Sequence, residues 1–233
     1  MIQRKAAAGE AAYLASMTIS VHFAEALDRA AVETAPYRHW LLDGALPEDT
    51  CATLAGLPIA PTVFGDTAGR RETHNALRVH ATPTTFATYP VLGNIAEMLQ
   101  EGPAIEAIQR VCGVDLAGTS LRIEYCRDTE GFWLEPHTDI GVKRFTMLIY
   151  LSDGPGSEAW GTDVLEGPDR FVRSAPYRRN GGLIFIPATN TWHGFRRRPI
   201  DGVRKSLMVN YVGPEWRSRH ELAFPDRPVG RPS

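Results

Sequence analysis

The residues with the most chemistry in this sequence are His137 and Asp139, separated only by Thr138. Side chains at i and i+2 of an extended strand point to the same face, so this pair can hold one metal ion together. On a helix the two would diverge. Phe132, Trp133 and Leu134 ahead of the pair favour a strand, and Pro136 argues against a helix running through it. A third ligand is needed. His193 is the best placed candidate, because it follows the buried-strand pattern Leu183–Pro187 and sits in the loop-like segment Asn190-Thr191-Trp192-His193-Gly194. Two imidazoles and one carboxylate on one side of an ion leave coordination positions open. That arrangement suits Fe(II) meeting a chelating co-substrate and O2.

Arg204 stands eleven positions after His193, with Ser206 two residues further on. If these begin a strand, they share a face, and an arginine fork beside a hydroxyl is a strong receptor for a carboxylate. The plainer reading is a surface arginine beside a turn serine. Phe132, Trp133 and Trp192 flank the ligands and either shape a substrate pocket or pack the core. Arg196, Arg197 and Arg198 either frame an anionic substrate or are solvated loop charges, and the second reading is preferred. His22, His39, His74, His80 and His220 read as ordinary surface or core histidines.

These residues must be positioned by the elements around them. After residue 118 short β-rich runs recur between Gly, Pro, Asp and Asn: Leu121–Cys126, Phe132–His137, Phe145–Leu151, Val164–Leu165, Phe171–Val172, Leu183–Ile186 and Ser206–Val212. Such punctuation predicts a sandwich or barrel. Before it, helical spacing is read over Ser20–Val32, from Pro47 to near Gly56, over Val91–Gln100 and over Ala104–Cys112. Ala6–Ala15 reads as a frayed leader or weak helix, and Pro225–Ser233 as a loosely ordered tail. With 43% hydrophobic and 22% charged residues the chain has a globular balance, and a net charge of -2 supplies no basic field for nucleic acid. The longest apolar runs are too short to span a bilayer. Cys51, Cys112 and Cys126, odd in number and without CxxC spacing, suggest free thiols in a reducing cytoplasm.

Together these pieces resemble the 2-oxoglutarate/Fe(II)-dependent dioxygenase superfamily, particularly its prolyl-hydroxylase-like branch. The resemblance covers about residues 119–212. It includes Arg122-Ile123-Glu124-Tyr125, His137-Thr138-Asp139, the run Thr146–Ser152, Gly182–Pro187, His193-Gly194 and Arg204-Lys205-Ser206, in the family's order and spacing. It implies an α+β fold with a double-stranded β-helix (jelly-roll) core and N-terminal helices packed outside. One domain, 1–233, is expected, divided into a mostly helical part (1–118), the catalytic core (119–212) and a tail (213–233). By the same resemblance His137, Asp139 and His193 hold Fe(II), while Arg204 and Ser206 bind the distal carboxylate of 2-oxoglutarate. Tyr150 would also reach that carboxylate, and Tyr125 would line the same pocket. The activity implied is hydroxylation of an unactivated C–H bond with O2, releasing succinate and CO2. A small molecule, such as an amino acid or a natural-product intermediate, is the preferred substrate, and a peptide or protein side chain is the alternative. A cupin-like, non-oxygenase metal protein remains the competing class. One departure is Gly161-Thr162-Asp163-Val164, where many relatives carry two glycines, which leaves the strand register there open.

Overall fold

The computed structural model describes residues 2–63, 69–70, 77–139 and 141–230. Helix α1 (Ile2–Asp28) is followed by strands β1 (Ala31–Glu33) and β2 (His39–Leu42), helix α2 (Glu48–Ala55) and strand β3 (Val79–His80). Helices α3 (Pro83–Thr88), α4 (Pro90–Gln100) and α5 (Pro103–Cys112) come next. Each of these three begins on a proline, whose fixed φ suits the first helical position and whose missing N–H costs nothing there. Helix α5 ends where Gly113 turns left-handed at φ 69°. The remaining strands are β4 (Ser120–Asp128), β5 (Leu134–His137), β6 (Lys143–Tyr150), β7 (Asp163–Gly167), β8 (Arg170–Ser174), β9 (Gly182–Phe185), β10 (Trp192–Phe195) and β11 (Arg204–Val212).

The strands form two antiparallel sheets, one in the order β1-β2-β9-β6-β11-β4-β3 and the other β5-β10-β7-β8. Alternation along the central strands of the larger sheet gives it two different faces. Leu121, Ile123 and Tyr125 of β4, Phe145, Met147 and Ile149 of β6, and Leu207, Val209 and Tyr211 of β11 are buried in one apolar core with Phe23, Leu54, Leu92, Ile95 and Ile108 from the helices. The intervening residues face the other way. Leu148, Tyr150, Leu183 and Phe185 there join Phe132, Val164, Phe195 and Ile200 in a second core. The same inward face carries polar residues at Glu124, Asp128, Thr146, Arg204 and Ser206, all buried. A buried row of this kind requires partners.

Several expectations need correction. The helix read over Ser20–Val32 ends at Asp28, and Ala31–Glu33 pairs instead as a strand with His39–Leu41. In keeping with the weak-helix alternative, Ala6–Ala15 lies within α1. The larger sheet is not confined to 119–212, because β1, β2 and β3 join it from the N-terminal part. The segment after Pro225 is tied down as far as it is described: Val229 is 2% exposed, donates its N–H to Thr119 O and accepts from Gly118 N. The three cysteines are free and buried. Among the described residues no helix is long and apolar enough to cross a membrane.

Candidate metal centre and its cavity

Strand β5 ends on His137, and β10 pairs with it so that His193 lies directly opposite. Their ring centroids are 4.2 Å apart. Asp139 follows two residues after His137 and is buried, as is His193. One ligand atom from each of the three lies within 4.8 Å of the others. The two imidazoles are oriented alike. Nδ1 of His137 is 2.9 Å from Glu135 O, and Nδ1 of His193 is 2.9 Å from Thr191 O. A carbonyl can only accept, so the proton sits on Nδ1 in both rings and the Nε2 lone pairs are left for an ion.

Asp139 is held from both sides. Lys143 Nζ donates to Oδ1 and Thr146 Oγ1 to Oδ2, each at 2.7 Å, and Asn210 Nδ2 donates to Thr146 Oγ1 at 2.9 Å. Burial pushes the Asp139 carboxyl up, but Lys143 and His193, with the two hydrogen bonds, hold it well below the usual carboxylate range. It is therefore an anion with a fixed orientation. Lys143 and Thr146 carried no recognisable signal in the sequence beyond Thr146 sharing a strand face with Leu148 and Tyr150. Because Lys143 is buried against Asp139, Lys143→Met is expected to destabilise the metal-free protein by about 3–5 kcal/mol. A divalent ion should restore much of that loss by replacing the missing positive charge. Thermal melts with and without metal check this, and equal loss in both states would mean the lysine acts on packing alone.

The three ligands open into a cavity whose other end is lined by Arg204, Ser206, Asp128, Thr162 and Arg78. Arg204 lies opposite Asp128 across β11 and β4, and Ser206 lies opposite Cys126. The Arg204 guanidinium is fixed at two corners, with Nε donating to Trp160 O at 2.8 Å and Nη1 to Asp128 Oδ2 at 2.7 Å. Nη2 makes no hydrogen bond among the described residues. The buried Ser206 hydroxyl has no partner among the described residues either. Burial pushes the neighbouring Cys126 thiol up to about 12, so it stays neutral and does not compete as an anion.

The two tyrosines differ from expectation. Tyr125 is on the helix-facing side of β4, and its hydroxyl donates to Leu54 O at 2.7 Å. Strand alternation assigns the cavity to Glu124, Cys126 and Asp128 instead, so Tyr125 does not line the pocket. Tyr150 does face inward, but its hydroxyl is 3.2 Å from Thr162 Oγ1, and it is Thr162 that lines the cavity. The register left open around Gly161 is fixed by close approach: a Cβ there would lie 1.8 Å from Ala175 O. Val164 accordingly stands opposite His193.

The three consecutive arginines separate in role. Arg198 is partly buried and binds both oxygens of Asp163, with a further bond to Ala159 O at 2.7 Å. Exposed Arg196 and Arg197 lie over the rings of Phe171 and Trp133, at 3.4 and 4.5 Å from their centroids. Phe132 lines the metal cavity, whereas Trp133 borders an adjoining surface hollow with Pro136, Arg196 and Arg197. Of the remaining histidines, His39 is buried and its Nδ1 is 2.8 Å from Tyr37 O, and His22 contacts Gly44 O at 2.9 Å. Burial holds His39 and His80 below the ordinary imidazole pKa. His74 lies outside the described residues.

No protein-family model and no curated protein matches the sequence. Solved structures match in fold. A prolyl 4-hydroxylase from Phytophthora capsici is 12% identical with a TM-score of 0.57, over 86% of this chain and 66% of that one. A 2OG-Fe(II) oxygenase family oxidoreductase from Burkholderia pseudomallei is 14% identical with a TM-score of 0.52, over 92% and 94%. A prolyl-4-hydroxylase from Pseudomonas putida is 13% identical with a TM-score of 0.51, over 84% and 94%. At such identities the likeness is one of fold.

Proposed function

We propose that this chain is an Fe(II)- and 2-oxoglutarate-dependent dioxygenase with a double-stranded β-helix core, in which His137, Asp139 and His193 hold the iron. The observation that carries this reading is the pairing of sites in one cavity. A two-imidazole, one-carboxylate set occupies one end, and an incompletely bonded guanidinium beside an unpartnered serine occupies the other. A cupin-like metal protein would have no use for the second end. The fold likeness to prolyl hydroxylases and to a 2OG-Fe(II) oxygenase supports the same reading.

When bound, Fe(II) with 2-oxoglutarate and O2 supplies oxidative decarboxylation to succinate and CO2, coupled to oxidation of a substrate C–H bond. The protein's own contributions are orientation and exclusion of water. The backbone carbonyls of Glu135 and Thr191 fix the tautomers of the two histidines, and Lys143 and Thr146 fix the carboxylate. Arg204 and Ser206 would receive the far carboxylate of the co-substrate, with Tyr150 acting on that end through Thr162. Phe132, Leu148 and Phe195 supply apolar walls. The substrate would be a small molecule, an amino acid or a natural-product intermediate, approaching past the partly exposed His137. Succinate release, assayed with Fe(II) and 2-oxoglutarate against a panel of amino acids and short peptides, tests this. Stimulation by a free amino acid or another small molecule supports the reading, whereas stimulation only by peptides would transfer the assignment to side-chain hydroxylation. No succinate with or without substrate would count against the activity itself.

A further inference from the structure

The inner end of the cavity has more donors than the acceptors around it can use. Arg78 stands one residue before β3, whose Val79 lies opposite Tyr125. The antiparallel count brings Arg78 beside Cys126, which itself lies opposite Ser206. The Arg78 side chain is only 5% exposed and lines the same cavity as Arg204 and Ser206. Its Nη1 donates to Asp128 Oδ1, its only hydrogen bond among the described residues, and the guanidinium lies 5.4 Å from the centroid of the Phe132 ring. Asp128 spends its other oxygen on Arg204. Two guanidiniums therefore share one carboxylate, and both of its oxygens are taken. The nearby Glu124 gives Oε1 to Arg122, which also bonds Glu221, and its charge acts on Arg78 without a hydrogen bond between them among the described residues. Among the described residues Arg78 Nε and Nη2 and Arg204 Nη2 make no hydrogen bond, and the buried Ser206 Oγ has no partner, while all three residues line the same cavity. A buried hydroxyl without a partner is costly unless something completes it.

We infer that Arg78 is a second guanidinium of the carboxylate receptor, contributed by the N-terminal part of the chain and held in place by Asp128. The inference rests on the reading of 2-oxoglutarate as co-substrate and deepens it. A carboxylate entering between Ser206, Arg204 and Arg78 meets charge-assisted donors from two sides. A keto acid ending in a methyl group leaves all of them unpaired. Arg78 is thus a specificity determinant for a dicarboxylate co-substrate.

The test is anaerobic titration of the Fe(II)-loaded full chain with 2-oxoglutarate and, separately, with 2-oxopentanoate, which carries a methyl group in place of the distal carboxylate. The readout is the visible charge-transfer band of the chelated keto acid. Arg78→Met is expected to weaken 2-oxoglutarate by about 10- to 100-fold, in line with removal of one arm of a buried charged contact. It should leave 2-oxopentanoate within about twofold, because the arginine's contribution is confined to the distal carboxylate. Since this change strands one oxygen of Asp128, Arg78→Lys is the companion variant. It keeps the charge but loses the fork, and is expected to weaken 2-oxoglutarate by about 5- to 10-fold. Unchanged 2-oxoglutarate affinity in both variants overturns the inference, as does equal loss for the two keto acids, which would mark a role in packing. Absence of the band in the wild-type protein with 2-oxoglutarate would instead sink the parent reading, and this inference with it.

Discussion

Turnover in each of His137→Ala, Asp139→Ala and His193→Ala is expected to fall by roughly 1,000-fold or more, about 4 kcal/mol in the barrier. The three side chains supply one facial set, with ligand atoms within 4.8 Å of one another, so the loss of any one leaves two. The histidine variants should stay folded, since each removes a neutral imidazole and strands no buried charge. Asp139→Ala differs, because it strands the buried Lys143. Asp139→Asn, whose amide oxygen can still accept from Lys143 while its amide nitrogen donates to Thr146 Oγ1, removes the carboxylate with less damage to the fold and separates loss of chemistry from loss of fold. Circular dichroism and iron content should accompany the rates. Full activity at saturating iron in any one variant would remove that residue from the site.

Arg204→Ala carries the second large effect. Removing one partner from a charge-assisted, partly dry contact costs roughly 2–4 kcal/mol, or about 30- to 1,000-fold in affinity for 2-oxoglutarate. Iron affinity without co-substrate should stay near wild type, because Arg204 is at the far end of the cavity from the three ligands. Titration of 2-oxoglutarate at fixed Fe(II) measures this. If affinity were unchanged, Arg204 could not be the carboxylate anchor, and its bonds to Trp160 O and Asp128 would mark it as purely architectural.

The parts of the site legible in the sequence were those with a two-residue period. His137 with Asp139, and Arg204 with Ser206, declare a shared face wherever the chain is extended. His193 was legible as a residue but not as part of a strand. Gly194, which made its surroundings look like a loop, is there because β5 passes close by: a Cβ would lie 2.9 Å from Leu134 O. Tyr125 is excluded from the pocket by the same alternation: its neighbours Glu124 and Cys126 occupy the cavity face, and adjacent strand residues cannot share a face. Arg78, Asp128 and Lys143 were not legible at all. A single charged residue has no period, and its role comes from register with partners as distant in sequence as Asp128 is from Arg204. The helices beginning on Pro90 and Pro103 were readable within a residue because their start signals are local. The N-terminal strands β1–β3 were not, since each is short and gains its identity only from the sheet it joins.

If one cavity binds Fe(II) at His137, Asp139 and His193 and chelates a 2-oxo acid beside it, anaerobic titration of the metal-free protein with Fe(II), in the presence and absence of 2-oxoglutarate, will show it. A visible charge-transfer band is expected only when both are present, saturating at one iron and one 2-oxoglutarate per chain, and lost in His193→Ala. A wild-type protein that binds Fe(II) but develops no band with 2-oxoglutarate, or a band that survives intact in His193→Ala, would contradict it.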